Sequence, residues 1–391
     1  MQQLTGFRRP NGQIGIRNHV LILAIDECAE GIAQAIRQQV PECIVVTNHY
    51  TCMYGGNEEL VNTMIGSALN PNVFGALVLN MGCGSIDPQI VTEPIAKQDK
   101  PVKSLSIIKA KGTRQTIKEG IQLAQELVAM AKQVKPSPLS LSDLVVGVKC
   151  GGSDTSSGIA SNPAVGRAAD QLVKMGATCV AGELIELIGC EAILKARAVS
   201  KPVAQKIERL IHEEERRWHI DGADVETMSI GNSVGGLTTL EEKAIGALHK
   251  TGTQPIVDVL TINKNGIERP AAPGMYLSET THLCGGAGMH FAALGAQVIL
   301  WTTGGAGFNN PIVPVIRISG NQALITDDID VDVSGIMSAT QSVNQAADKI
   351  LTCLDLVVRG EKTAIEEVGF AFCSLYQKDQ RLEKLICQQP V

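Results

Sequence analysis

Four of the eleven cysteines stand beside glycines in short polar segments: Cys52 in NHYTCMYGG, Cys83 in MGCGS, Cys150 in KCGGSDTSSG and Cys284 in THLCGGAG. Glycine next to such a group lets the backbone approach a ligand closely. Thiolates of Cys52, Cys83 and Cys150 gathered at one sheet edge would suit a metal ion or an iron–sulfur cluster, because soft sulfur favours such centres. The three come from separate loops and share no spacing motif, so buried, redox-silent thiols are the alternative. His49 directly precedes the first of these loops. Among Asn48, Tyr50 and Thr51 it reads as a metal ligand, a general base or a structural hydrogen-bonder. A second cluster, Glu279, His282, Cys284 and His290, lacks the fixed spacing of a zinc site.

The loop 151–158, GGSDTSSG, is dense in hydroxyls and lies just before Asn162-Pro163, a helix start. Its backbone N–H groups and side chains would suit a carboxylate or phosphate, with Gly151, Gly152 and Thr155 as binding positions and Ser153 and Asp154 as reacting or orienting groups. A simple capping loop is the plain reading. Residues 302–310, TTGGAGFNN, form a second polar glycine loop, offering Thr303 and Asn309. Neither loop has the Gly-Lys-Ser/Thr of a phosphate loop or GxGxxG with its acidic partner, which speaks against a nucleotide-dependent oxidoreductase. Lys149 precedes Cys150; at a buried loop its amine could be tuned toward neutrality and serve as a base. The alternative is an amine that reaches solvent.

Strand and helix patterns alternate along the chain. Apolar runs at 20–26, 43–47, 73–80 and 102–109 read as buried strands, and Ile32, Ala35, Ile36 and Val40 show the three-and-four spacing of an intervening helix. A helix over 112–135 ends in KPSPLSLSD, of linker composition. The rhythm then restarts with strands at 144–149 and 178–183, helices at 163–175 and 190–219, further strands at 255–262, 298–302 and 313–318, and an amphipathic helix at 342–359. The charged HEEERRW segment reads as a solvated helix face laced with ion pairs. Thr-Thr-Leu-Glu-Glu at 238–242 suits a helix N-cap with acids in the first turn. The expected fold class is α/β, with two Rossmann-like parallel-sheet domains, 1–136 and 137–391, and glycine-rich loops at the carboxyl edges of the strands. Loops after parallel strands open on one edge, which would bring Cys83 and Cys150 toward each other.

Composition bounds the function. With 19% charged residues, 3% aromatics and 39 glycines in 391 residues, the chain resembles neither a disordered polyampholyte nor a coiled coil. A net charge of -6 without a Lys/Arg run excludes a nucleic-acid footprint. Apolar runs of strand length and a polar amino terminus exclude a transmembrane helix and a signal peptide, so a cytoplasmic protein with reduced cysteines is expected. Cys28, Cys43, Cys179, Cys190, Cys353, Cys373 and Cys387 sit in apolar patterns, where a thiol packs as a small hydrophobe.

Several segments together resemble a known family. GFRRPNGQIGIRN at 6–18, NHYTC at 48–52, GCG at 82–84, GTRQT at 112–116, CGGSDTSSGIASNPAVG at 150–166, GNSVGGLTTLEEKAIGA at 231–247 and TTGGAGF at 302–308 occur in the order seen in the altronate/galactarate dehydratase (UxaA) family. The resemblance covers nearly the whole chain, and CGGSD…NPA is its most specific block. It implies an iron-dependent lyase: the C2 proton of a small 2-hydroxy carboxylate is removed, the C3 substituent departs, and a 2-oxo acid results. For a sugar acid the product is a 2-keto-3-deoxy acid. Such chemistry needs a base, for which His49 and Lys149 are the candidates, and an electrophile, which a metal supplies. The resemblance favours Cys52, Cys83 and Cys150 as ligands of a 4Fe–4S cluster, with mononuclear Fe2+ held partly by His49 as the rival. It also implies an oligomer with a separate small SAF-domain subunit, since the chain starts at the GFRRPNG motif. Residues 309–335 are more similar to the large subunit of (2R)-sulfolactate sulfo-lyases of the same family, which release sulfite and pyruvate. A non-catalytic sugar-acid-binding or regulatory subunit is the reading from another class, and the intact polar loops speak against it.

Overall fold

In the computed structural model, which describes residues 4–50, 58–220, 229–281, 283–304, 308–369, 371 and 373–375, the alternating pattern builds two parallel sheets. The first contains β1 (His19–Ala24), β2 (Cys43–Thr47), β3 (Val73–Asn80) and β4 (Val102–Ser106), in the order β2-β1-β3-β4. Alternation along β1 assigns its two faces. Val20, Ile22 and Ala24 pack toward α1 (Glu30–Gln39) and α4 (Thr113–Lys132). Leu21 and Leu23 join Leu60 and Met64 of α2 (Glu58–Ala68) and Val91 of α3 (Pro88–Ala96).

Seven parallel strands form the second sheet: β5 (Val145–Cys150), β6 (Thr178–Ala181), β7 (Ile256–Leu260), β8 (Gly274–Ser278), β9 (Val298–Thr302), β10 (Val315–Ser319) and β11 (Val331–Asp332). Their order is β7-β8-β6-β5-β9-β10-β11. The chain therefore fills one side of β5 first and returns to the other with β9. Between those two strands lies the topological switch point, where loops diverge and leave a crevice at the carboxyl edge. Covering helices are α5 (Asn162–Lys174), α6 (Glu191–Ala196), α7 (Lys201–Ile220), α8 (Ile230–Val234), α9 (Leu240–His249), α10 (Cys284–Leu294), α11 (Val343–Val358) and α12 (Ala364–Val368).

The α/β class is as expected, and so is the cap at the start of α9, where Thr239 accepts from Glu242 N; Ser342 caps α11 in the same way. Some boundaries differ. The single helix expected over 190–219 is two, α6 and α7, because Arg197–Ser200 breaks before Pro202 and pairs through Ala198 and Val199 with Ile256. Strand β8 was not expected, since its short GMYLS run follows Pro273 and opens on Gly274. Pro138 and Ser137, in the expected linker, pair antiparallel with Thr5 and Gly6, so the amino terminus and the inter-sheet segment hold each other. No helix among the described residues is long and apolar enough to cross a membrane.

One core contains residues of both sheets: Leu21, Leu60 and Met64 join Phe291, Ile299 and Trp301. At its margin two buried amides pin the sheets together. Asn70 Nδ2 donates to Ala292 O at 2.7 Å and Ala296 O at 2.8 Å, while Asn72 Nδ2 donates to Gln297 O at 2.9 Å and Ile312 O at 3.1 Å. Truncating Asn70 removes a buried donor from both carbonyls, of which Ala292 O keeps the N–H of Gly295. Asn70→Ala should lower stability by about 2–3 kcal/mol, read as a fall in Tm; a change within error would show that the amide contributes nothing to holding the sheets together.

Candidate active site

Cys150 ends β5 and points into a buried charge cluster. Its Sγ contacts carboxylates of Glu183 and Glu186, which follow β6, and the Lys250 ammonium, at the end of α9, lies 2.7 Å from it. Lys250 Nζ is also 3.1 Å from Glu183 Oε2 and 3.0 Å from Glu186 Oε2. Lys149 pairs with Glu183 Oε1 and donates to Cys150 O at 2.8 Å, and Lys243 of α9 reaches Glu186 Oε1 at 3.2 Å. Adjacent parallel strands supply the geometry: Val148 of β5 pairs with Ala181 of β6, so the segments after both strands emerge side by side. Glu183 is held at φ 70°, a left-handed conformation rare for a residue with a side chain, and its N–H donates to Thr280 Oγ1 at 2.9 Å. Backbone strain of this kind is commonly retained at functional positions.

Electrostatics follow from burial and pairing. Burial lowers the pKa of Lys250, but Cys150, Glu183 and Glu186 outweigh it and hold the ammonium well above its usual range. Lys149 behaves likewise: desolvation is outweighed by Glu183, Cys284, Glu186 and Cys150, and its pKa rises. The expectation of a lysine tuned toward neutrality is thereby corrected, and its amine does not reach solvent, being 1% exposed. Burial and the charge of Glu186 push the Cys150 thiol up, against the opposing lysines. For Glu186, burial raises the pKa but Lys250, Lys243 and Lys149 bring it down well below the carboxylate range. Three lysine side chains, Lys149, Lys243 and Lys250, thus surround Glu183, Glu186 and the Cys150 thiol.

The ligand atoms of Cys150, Glu183 and Glu186 all lie within 4.8 Å of one another, as a metal site requires. A thiolate with two carboxylates suits a borderline divalent ion such as Fe2+, so this donor set fits the expected metal. Other candidates are placed differently. Cys83 is exposed after β3 and joins no group of three possible ligands among the described residues, and Cys52 lies outside the described residues, as does His282. His49 Nδ1 lies 3.6 Å from Glu30 Oε2 and its side chain is half-exposed. Cys284 opens α10 close enough to Lys149 to affect its pKa, and His290 Nε2 lies 3.8 Å from Glu59.

Loop 151–158 is shaped by the switch point. Gly151 N donates to Thr302 O and Gly304 N to Gly152 O, both at 2.7 Å, binding the loops after β5 and β9 together. Asp154 is saturated: its Oδ1 accepts from Ser156 Oγ, Ser157 N and Ser157 Oγ, and its Oδ2 accepts from Asn321 Nδ2 at 2.7 Å. That carboxylate shapes the loop. A Cβ at Gly304 would fall 2.5 Å from Asp154 Oδ2, so glycine there lets the two loops close. Ser153 and Thr155 bond Gly151 O and Gly235 O, and the chain enters α5 through a π-helical turn, Ser157–Ser161. Ser153, Thr155, Asn162, Lys243 and His249 line a cavity of about 240 Å³ between this loop and α9. Thr303 N donates to Ile318 O, beside the same loop, whereas Asn309 lines a separate cavity with His19 and Arg37 at the amino ends of β1 and β2.

Glu183, Glu186, Lys243 and Lys250 were missed by sequence reasoning. Their signal was charge inside apolar surroundings: VAGELIELIGC places two acids three residues apart just after a strand, and ALHK ends an apolar helix turn. Glu186 has a folded-state pKa below its ordinary 4.5, so its contribution is present above pH 4.5 and is lost as pH falls through the folded value. Glu186→Gln should therefore be less stable than wild type at pH 7, and the gap should narrow steadily on acidification. Urea midpoints measured on metal-free protein between neutral pH and the acid limit check this; a gap independent of pH would refute it.

The chain matches the family described as D-galactarate/altronate dehydratase, C-terminal, over residues 141–380, and that described as D-galactarate dehydratase/altronate hydrolase, second domain, over 6–132. It is 32% identical over 384 residues to (2R)-sulfolactate sulfo-lyase subunit beta of Chromohalobacter salexigens, covering 95% of this chain and 97% of that one. Altronate dehydratase of Bacillus subtilis is 32% identical over 336 residues, covering 82% and 66%. Galactarate dehydratase (L-threo-forming) of Escherichia coli is 28% identical over 394 residues, covering 93% and 74%. With both sheets matched and lyases as its relatives, this chain is a lyase that belongs to the D-galactarate/altronate dehydratase family.

Proposed function

We propose that this protein catalyses β-elimination on a small 2-hydroxy carboxylate, in the primary reading dehydration of an altronate- or galactarate-type sugar acid to a 2-keto-3-deoxy acid. The observation that carries it is the cavity beside the cluster. Lys243 lines that cavity of about 240 Å³, which is sized for a small molecule, and touches Glu186, so one lysine of the buried group reaches the space, with Asp154 and Glu242 on the same wall. Ser153 and Thr155 offer hydroxyls at its wall. A second reading, elimination of sulfite from (2R)-sulfolactate, is favoured by the full-length likeness to the sulfo-lyase subunit.

Iron is the metal assigned here, held by Cys150, Glu183 and Glu186; the mixed sulfur and oxygen donors favour a mononuclear ion over an all-thiolate cluster. When bound, it supplies Lewis acidity toward substrate oxygen. Lys149 keeps its proton and stabilises negative charge developing on the enolate. His49, half-exposed beside Glu30, is assigned to take the C2 proton. A cytoplasmic location is supported by the nine described cysteines all being free. A separate SAF-domain small subunit is the proposed partner, on the relative's name as a subunit beta.

The test is 2-oxo acid release from aldonates, aldarates and 3-sulfolactate, with sulfite measured in parallel. Dehydration without sulfite supports the primary reading, sulfite with pyruvate the second; neither product from any acid would sink the proposal. In deuterated water, His49→Gln should slow exchange at C2 of the accepted substrate by about 10²–10⁴-fold, and undiminished exchange would remove His49 as the base.

A further inference from the structure

We propose that Lys250 is a built-in competitor for the metal: its ammonium occupies the place of the divalent ion within Cys150, Glu183 and Glu186 and must leave before the ion can bind. This rests on reading the triad as the metal centre. Nζ lies 2.7 Å from Sγ and 3.1 and 3.0 Å from the two carboxylates, contacting all three ligand residues at once. An ion drawing the same donors to its usual ~2.0–2.3 Å bonds would occupy the space that Nζ now fills. Both cations cannot share it, because the three donors converge on one centre and like charges repel at this range. Lys250 is fully buried, so no water shell competes for its ammonium.

Without an ion, the arrangement has a clear physical purpose. Two carboxylates buried side by side repel, and Lys149 and Lys243 each reach only one of them. Lys250 bridges both and the sulfur, keeping the ligand atoms converged on a common centre. The protein can then fold with a preformed donor set, and metal affinity is weakened by the ammonium that must be displaced. Lys250 is thus a positioning residue in the metal-free state and is absent from the centre in the loaded state.

Cobalt(II) serves as a spectroscopic probe, since sulfur-to-cobalt charge transfer reports bonding to Cys150. Metal-free wild type, Lys250→Leu, Lys250→Gln and Cys150→Ser are titrated, with folding verified by circular dichroism. We expect both Lys250 variants to bind cobalt ~10–100-fold more tightly than wild type, the range by which groups around a metal centre tune its affinity, with the band lost in Cys150→Ser. Equal or weaker binding by folded Lys250 variants, with a Cys150-dependent band in wild type, would overturn the competition and leave the metal centre standing. Absence of a Cys150-dependent band in every protein would remove the metal centre and this inference with it. Should the variants fail to fold, a crystal structure of wild type grown with Mn2+ decides. Displacement of Nζ from the three ligand residues supports the proposal, and Mn2+ bound at the triad with Nζ still on all three refutes it.

Discussion

Burying carboxylates is the constraint on which this site depends. Glu183 and Glu186 are withdrawn from water at the carboxyl edge of a parallel sheet, where an unpaired charge would cost several kcal/mol, of order 3–5 when a partner is removed. Lys149, Lys243 and Lys250 answer that demand from two directions, one from the strand and two from α9 and the residue directly after it. Every feature nearby follows from keeping these charges matched. Burial and Glu186 push the Cys150 thiol up, and Glu183 accepts a left-handed backbone to aim its carboxylate inward.

Helix α9 carries Lys243 and is followed directly by Lys250, so its seating against the sheet matters as much as any ligand. A Cβ at Gly166 of α5 would fall 1.9 Å from His249 O, so the backbones of α5 and the end of α9 touch. Asp170 of α5 then accepts from Thr253 N at 2.7 Å and Thr253 Oγ1 at 2.7 Å, tying down the turn just after Lys250. At the other side of the sheet, Asn70 and Asn72 lock the first sheet onto the second through backbone carbonyls. The charge cluster therefore sits on elements held from both flanks.

The parallel sheets, most strands and the position of the glycine loops were legible because each is recorded locally, in apolar runs, three-and-four spacing and turn residues. Cys150 and the 151–158 loop were legible for the same reason. Asp154 was seen as a reacting or orienting group, and four donors hold it within the loop, one of them Asn321 from far along the chain. Lys149 was seen as a base, but carboxylates that arrive from beyond β6 hold its proton in place.

Residue order alone determined where strands end and where glycine and cysteine gather, since periodicity and turn chemistry act over a few neighbours. Which charges meet was decided only by the tertiary structure. Glu183 and Lys250 are 67 positions apart, and their pairing arises from β6 lying beside β5 and from α9 docking over both. A pKa or a ligand set is a property of the space several segments enclose, and an ammonium among three ligand residues can be found only once that space is closed.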